Sequence, residues 1–130
     1  MNLTGTITVP LPPEKAIALF TPAGERAWAP GWDPHHHSDT VFTTAHGGAD
    51  TTWVVLDAGP RAVRYARVSR DRAGTVEVRC HADGTDQTRA EVTYDLTALV
   101  PDALDHFAAG YAAMLADWER LIAEACTTSR

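Results

Sequence analysis

The stretch PDALDHFAAGYAAMLADWERLIAEA, residues 101–125, decides the fold of this 130-residue chain. After Pro101 the apolar side chains recur with the 3.6-residue period of an α-helix. Asp102 and Asp105 fall in the first turn, where carboxylates interact favourably with the helix dipole. The pattern predicts a helix of roughly six turns. Its apolar stripe consists of Leu104, Phe107, Ala108, Tyr111, Leu115, Trp118, Ile122 and Ala125.

The region before this helix has the two-residue period of β-strands. The clearest strand covers about residues 87–97, and Gly47-Gly48 is one of several turn signals between strands. This spacing predicts an antiparallel meander. The apolar face of the clearest strand carries Thr88, Ala90, Val92, Tyr94 and Leu96. The other predicted strands lie at roughly 39–45, 51–57, 61–69 and 74–82.

The N-terminal part predicts one more strand and two short helices. Apolar residues alternate with threonines from residue 3 to residue 9, and Pro10 ends this strand. Pro12 and Pro13 favour a first helical turn, and residues 23–29 predict a second short helix. This order of elements predicts an α+β fold in which the sheet curls around the long C-terminal helix.

Several segments carry a family resemblance that extends over nearly the whole chain. They are Gly24-Glu25, Trp28-Ala29-Pro30-Gly31-Trp32, Val41-Phe42-Thr43-Thr44, Trp53-Val54-Val55, Val63 and Tyr65, Val92-Thr93-Tyr94 with Thr97-Ala98-Leu99, and Ala113-Met114-Leu115-Ala116-Asp117-Trp118-Glu119. Through them the chain resembles the START/Bet v 1-like (SRPBCC) superfamily, and within it small bacterial proteins labelled polyketide cyclase/dehydrase-like. The resemblance implies the helix-grip fold, with two short helices after the first strand. It does not specify an activity, because the superfamily includes lipid carriers, hormone receptors, cyclases and chaperone regulators.

Composition narrows the class of protein. The length favours one domain over residues 1–130. A net charge of −6 and a pI of about 5.4 argue against nucleic acid or an anionic membrane as a partner. No apolar run approaches the roughly 20 residues of a membrane span, and no signal peptide is recognisable. Cys80 and Cys126 are not expected to form a disulfide, so we expect a cytoplasmic protein. Monomer and homodimer are equally compatible with the sequence.

The resemblance implies a cavity between the sheet and the long helix, and the apolar residues agree with it. The alternative is a core that these side chains simply fill. We expect Trp28 and Trp32 at the mouth of the cavity. The predicted wall residues are Tyr65, Tyr94, Phe107, Tyr111, Met114 and Trp118.

Arg67 is the predicted polar contact inside the cavity. Arg64 and Arg67 are three residues apart in one strand, so they must face opposite sides of the sheet. If Val63 and Tyr65 mark the inner face, Arg67 points inward and can pair with a carboxylate or phenolate of a ligand. The alternatives are an ion pair at the surface or a bulge that turns Arg67 outward.

Three consecutive histidines follow the tryptophans. If residues 33–39 are extended, His35 and His37 share one face and His36 lies on the other. His35 and His37 are candidates for proton transfer or ligand contact at the cavity mouth, and weaker candidates for metal ligands, with His46 beyond the next strand. The alternative is a solvated polar loop. Neither a metal nor a cofactor is predicted.

Three functions remain open from the sequence. The first is binding of a small hydrophobic, aromatic or polyketide-like molecule in the cavity. The second is an enzyme of the cyclase or dehydratase kind, in which His35, His37 or Arg67 assists enolisation or loss of water. The third is a protein-interaction or chaperone-regulator module with a collapsed cavity. Glu25 is expected to cap or pair across the short helices, without a catalytic role.

Overall fold

The computed structural model describes residues 1–45 and 50–128. The predictions for His46 and Gly47-Gly48 lie outside these ranges. Within them no helix is both long and apolar enough to cross a membrane. The elements, in chain order, are β1 (Asn2–Val9), α1 (Pro13–Ala16), a 3-10 turn (Ile17–Phe20), α2 (Pro22–Glu25), β2 (His35–His36), β3 (Val41–Thr44), β4 (Thr51–Ala58), β5 (Ala62–Val68), β6 (Arg72–Ala82), β7 (Thr88–Ala98) and α3 (Asp105–Thr128).

All the described strands belong to one antiparallel sheet, in the order β1-β7-β6-β5-β4-β3-β2. The first strand pairs with the last, with Gly5 opposite Val92, so the N-terminus closes the sheet beside β7. The apolar face predicted for β7 is buried along its whole length. The sheet curves around α3, and the predicted helix-grip fold of the α+β class is confirmed.

The long helix packs tightly against the sheet next to β1. Tyr111 donates a hydrogen bond from its hydroxyl to the carbonyl oxygen of Val92, at 2.7 Å. A Cβ atom on Gly5 would overlap the side chain of Leu115, so the missing side chain is what lets α3 approach this closely. Glu119 accepts a hydrogen bond from the backbone N–H of Thr8, at 2.6 Å, and this bond ties the outer edge of β1 to the helix.

The short helices differ in detail from their prediction. The second helix covers Pro22–Glu25 instead of residues 23–29, because the hydroxyl of Thr21 accepts a hydrogen bond from the N–H of Gly24 and begins the helix earlier. A Cβ on Gly24 would overlap the carbonyl group of Ala18, so this position requires glycine for close packing. After Glu25 the chain continues in turns, and Gly31 has a positive φ of 70°.

The tryptophans of this segment fasten it to the short helices. Trp28 donates from its indole nitrogen to the carbonyl oxygen of Leu19, at 2.7 Å. Trp32 donates in the same way to the carbonyl oxygen of Pro22, at 2.8 Å. The chain between α2 and β2 is thus held back against residues 19–22 by two indole hydrogen bonds, which are favourable where the indole is buried.

Two glycine substitutions test this packing, and we expect them to change the free energy of unfolding in opposite directions. Gly24→Ala should lower the free energy of unfolding by about 2 kcal/mol or more, because the backbone of Ala18 cannot move away easily. Gly110→Ala, in α3, should raise it by about 0.5–1 kcal/mol, because its Cβ would meet open space and alanine favours the helix. Urea unfolding measures both. A Gly24→Ala variant as stable as the parent protein would contradict the close approach of α2.

Candidate functional site

One group of aromatic rings lies between the sheet and α3. Trp28 and Trp118 meet edge to face, with their ring centroids 5.4 Å apart. Tyr94 contacts Phe107 at 5.1 Å, Tyr111 at 5.8 Å and Trp118 at 6.5 Å. We call these five residues the helix-side cluster. All five were predicted to surround the cavity, and the structure brings them together around Tyr94.

A second group of rings covers the inner face of β3, β4 and β5. Phe42 and Trp53 stack with their centroids 5.8 Å apart, and Trp32 meets Trp53 edge to face at 6.0 Å. Tyr65 contacts both Phe42 and Trp53 at 6.2 Å. We call these four residues the rim cluster. Phe42 and Trp53 were recognised only as marks of the family resemblance, although the alternation in their strands places both rings on the inner face.

Burial differs across the inner face. Tyr94, Tyr111, Trp28 and Phe42 are buried, whereas a neighbouring set of large side chains is only half-buried. Part of each half-buried side chain therefore reaches solvent. We call the half-buried set the recess; its members are Trp32, Trp53, Arg67, Phe107, Met114 and Trp118.

Two surface depressions lie elsewhere. One, of about 290 Å³, follows the seam between β1 and α3 and includes Gly5 and Leu115. The other, of about 490 Å³, lies on the outer face of the sheet and includes Arg64 and Glu77. Neither of these two includes a residue of the recess. Within the recess, the rings of Trp32 and Trp53 contact each other.

Arg67 lies on the inner face of β5, as strand alternation predicts. Its guanidinium lies over the ring of Trp53, 5.6 Å from the centroid. Its Nη2 donates to the hydroxyl of Ser69 at 2.9 Å, and that hydroxyl donates to Asp71 at 2.9 Å. Its Nε is buried and has no hydrogen-bond partner among the described residues. Burial lowers the pKa of Arg67, and the buried, unpaired N–H is unfavourable in the absence of a ligand.

Glu25 also faces the interior, contrary to the expected capping role. Burial raises the pKa of its carboxyl group from 4.5 to about 8, although part of the residue reaches the surface. The carboxyl has no hydrogen-bond or ion-pair partner in the described part of the chain. Burial raises the pKa values of Tyr65 and Tyr94, and the charge of Glu25 raises both further.

The local fold explains why Glu25 points inward. It is the last residue of α2, and the close packing of Gly24 against Ala18 fixes the rotation of that helix. On the facing strand, Tyr65 donates from its hydroxyl to the carbonyl oxygen of Phe20, at 2.9 Å. The helix is too short to show a period in the sequence, so the orientation of Glu25 could not be predicted. The sequence shows only that Glu25 directly follows Gly24, between Pro22 and Trp28.

The histidine candidates do not join this site. His35 pairs with Thr43 across the edge strand β2, and His37 contacts the hydroxyl of Thr43 at 3.0 Å. The rings of His35 and His37 lie 5.0 Å apart on the outer, exposed side, whereas His36 contacts Phe42. The short strand turns His35 and His37 to the outer face of the sheet, as the solvated alternative expects, and their part in ligand contact or proton transfer stays a prediction. The described residues contain no group of three metal-ligating side chains.

The buried carboxyl gives a prediction about stability and pH. Folded Glu25 keeps its proton up to about pH 8, whereas in the unfolded chain it ionises near pH 4.5. The fold is therefore most stable with respect to this group below pH 4.5, where Glu25 is protonated in both states. As the pH rises from 4.5 to about 8, only the unfolded chain can ionise, so the free energy of unfolding falls. Glu25→Gln cannot ionise, so its stability relative to the parent should increase over this range by up to about 1.4 kcal/mol per pH unit.

Calorimetric melting at a series of pH values checks this prediction. Glu14→Gln is the matched control, because Glu14 is exposed and pairs with Arg61 at the surface. The control should show no such rise. Parallel stability curves for Glu25→Gln and the parent protein would mean that the carboxyl is solvated.

Comparison with solved structures gives the same fold. A conserved protein from Geobacillus kaustophilus aligns with a TM-score of 0.77 and 14% identity, covering 99% of this chain and 97% of that one. The Zhui aromatase/cyclase from Streptomyces sp. R1128 aligns with a TM-score of 0.69 and 16% identity, covering 100% and 96%. The Aha1 dimer from Colwellia psychrerythraea aligns with a TM-score of 0.70 and 16% identity, covering 93% and 96%.

At these identities the structural likeness establishes the fold alone. No curated protein matches the chain. A family model described as polyketide cyclase / dehydrase and lipid transport matches residues 1–125, which is nearly the whole sequence. This match confirms the resemblance that the tryptophan, strand and helix segments predicted. The chain therefore belongs to the polyketide cyclase / dehydrase and lipid transport family.

Proposed function

We propose that this protein binds a small, largely apolar, ring-containing molecule in the recess between the sheet and α3. The observation that carries the proposal is the guanidinium of Arg67, which lies over the half-buried ring of Trp53 with one N–H buried and unpaired. Buried polar groups in folded proteins nearly always have a partner. A ligand that brings an oxygen atom to Arg67 supplies the missing partner.

The side chains around Arg67 fit the rest of such a ligand. The recess combines three tryptophans, one phenylalanine and one flexible methionine, which together favour flat apolar molecules. Half-burial means that these side chains lose their remaining exposed surface when a ligand covers them. At about 25 cal/mol per Å² of apolar surface, this burial is favourable. Arg67 then orients the ligand by its polar end.

The family and its structural neighbours support a small-molecule site. The family description names polyketide cyclase, dehydrase and lipid transport, and one neighbour is an aromatase/cyclase. Another neighbour is an activator of HSP90, and an Aha1 protein forms a dimer. The unpaired Nε of Arg67 favours ligand binding over the interaction-module alternative, because in a collapsed interior this N–H would stay without a partner. Oligomeric state remains open between monomer and homodimer.

Filling the recess should remove binding without changing any charge. All four tryptophans belong to the two clusters, so their fluorescence reports on the recess. We expect Met114→Trp to weaken binding of the neutral probe 1-aminoanthracene by about tenfold or more, which corresponds to about 1.4 kcal/mol. The control is Ala113→Trp, because Ala113 is exposed on the other side of α3; it should bind as the parent does.

Two outcomes would contradict the proposal. The first is equal binding by the Met114→Trp and Ala113→Trp variants, which would place the probe elsewhere. The second is the absence of binding and of any thermal shift for a panel of neutral aromatic compounds with the parent protein. That result would favour the interaction module instead.

A further inference from the structure

One edge of the sheet directs backbone hydrogen-bonding groups away from the molecule. β1 is the outermost strand at this end and pairs on one side, with β7. Met1 and Leu96 exchange both of their backbone hydrogen bonds, so every second residue after Met1 also bonds to β7. The residues between them direct their N–H and C=O groups to the open side; they are Asn2, Thr4, Thr6 and Thr8.

The side chain of Glu119 closes one end of this edge. Its carboxylate accepts the outward N–H of Thr8, at 2.6 Å. The outward N–H groups of Asn2, Thr4 and Thr6 have no partner within residues 1–45 and 50–128. The free part of the edge therefore extends over residues 2–6, and Thr4 lies at its centre.

This free stretch lacks the features by which exposed edge strands avoid pairing. Charged side chains, prolines and bulges are the usual means of blocking such an edge. Residues 2–9 contain neither a charged residue nor a proline, and the register between β1 and β7 is regular throughout. A further strand can therefore pair with residues 2–6 without meeting a charge on β1 itself.

A cleft of about 290 Å³ lies beside the free stretch, between β1 and α3. Gly5 contributes no side chain to it, and Ala112 and Ala116 of α3 line it with small, exposed side chains. An added strand that places an apolar side chain opposite Gly5, on the inner face of the sheet, fills this cleft. The two alanines also leave room for another helix to approach this side of α3.

We propose that a second copy of this chain occupies this edge, with the two β1 strands antiparallel about a twofold axis at Thr4. Thr4 then lies opposite Thr4 of the partner subunit, and Asn2 lies opposite Thr6 of the partner subunit. Each such pair exchanges two backbone hydrogen bonds, so all the free groups of residues 2–6 acquire partners. The two sheets continue into each other as one.

In this register the edge is complementary to itself. Leu3 faces the inner side of the sheet and lies opposite Gly5 of the partner subunit. The two form a pair without backbone hydrogen bonds, in which side chains approach most closely. Leu3 is only half-buried in its own subunit, and its remaining surface covers the cleft beside the partner's Gly5. The twofold axis repeats this contact in the other direction.

The same register keeps the acidic groups apart. The two Glu119 carboxylates lie at opposite ends of the paired stretch, about 27 Å from each other at about 3.4 Å per residue. This separation exceeds the range of charge repulsion in physiological salt. An axis at Thr6 would halve the distance. It would also require the N–H of Thr8, which Glu119 already binds.

Cysteine crosslinking tests the position of the axis. The variants are made in a Cys126→Ser background, because Cys80 is buried. Thr4→Cys places two cysteines opposite each other within reach of a disulfide, so a covalent dimer should form under mild oxidation. Thr6→Cys is the matched control, because its two copies lie about 14 Å apart along the strands and should stay unlinked. Both threonines are exposed, so neither change affects the core.

Sedimentation equilibrium measures the interface without a covalent bond. The parent protein should be dimeric at about 100 µM. Thr4→Lys places two like charges opposite each other at the axis, so it should raise the Kd of the dimer by about fivefold or more. Thr8→Lys is the same change on the same strand outside the paired stretch, and it should leave the Kd within about twofold.

Three outcomes would overturn the proposal. A monomeric parent protein that gives no crosslink with Thr4→Cys would leave the edge to an extended segment of another protein. Crosslinking of Thr6→Cys in place of Thr4→Cys would put the axis elsewhere. A dimer that Thr4→Lys leaves intact would put the interface on another surface.

Discussion

The apolar stripe of α3 must be covered, and this constraint governs the rest of the structure. The sheet covers it by curving, and β1 completes the sheet by pairing with β7 instead of with its neighbour in sequence. The closest contact is made at Gly5, where the absence of a side chain lets the helix approach β1. Because α3 lies closest to this edge, the inner face of β3, β4 and β5 needs another cover.

The short helices and the tryptophan segment supply that cover. The 3-10 turn contacts β5 and β6. One indole hydrogen bond holds Trp28 to this turn, and a second holds Trp32 to the first residue of α2. After Glu25 this segment consists of turns, and the side chains of Trp32 and Trp53 beneath it are only half-buried. The half-buried recess is the result. In a tightly closed interior, the unpaired Nε of Arg67 and the carboxyl of Glu25 would cost stability.

The main elements of this fold could be predicted because long periodic segments dominate the chain. The stripe from Leu104 to Ala125 and the alternation in β7 each extend over many residues, and each side chain reinforces the same interpretation. The alternation of side chains along β5 also predicted that Arg67 points inward, because it lies two residues after Tyr65 on the same face. The two-residue strand β2 and the four-residue helix α2 have no readable period. The orientations of His35, His37 and Glu25 depend on these elements and required the structure.

Glu25 holds a proton at neutral pH, and its half-buried carboxyl makes no hydrogen bond or ion pair within the described residues. A titration by NMR of protein labelled with 13C at the glutamate carboxyl carbons measures this directly, and the Glu25 signal is identified by its absence in Glu25→Gln. A midpoint near pH 8 is expected. A midpoint near the ordinary value of 4.5 would show that the carboxyl is solvated and would contradict the account of the recess given above.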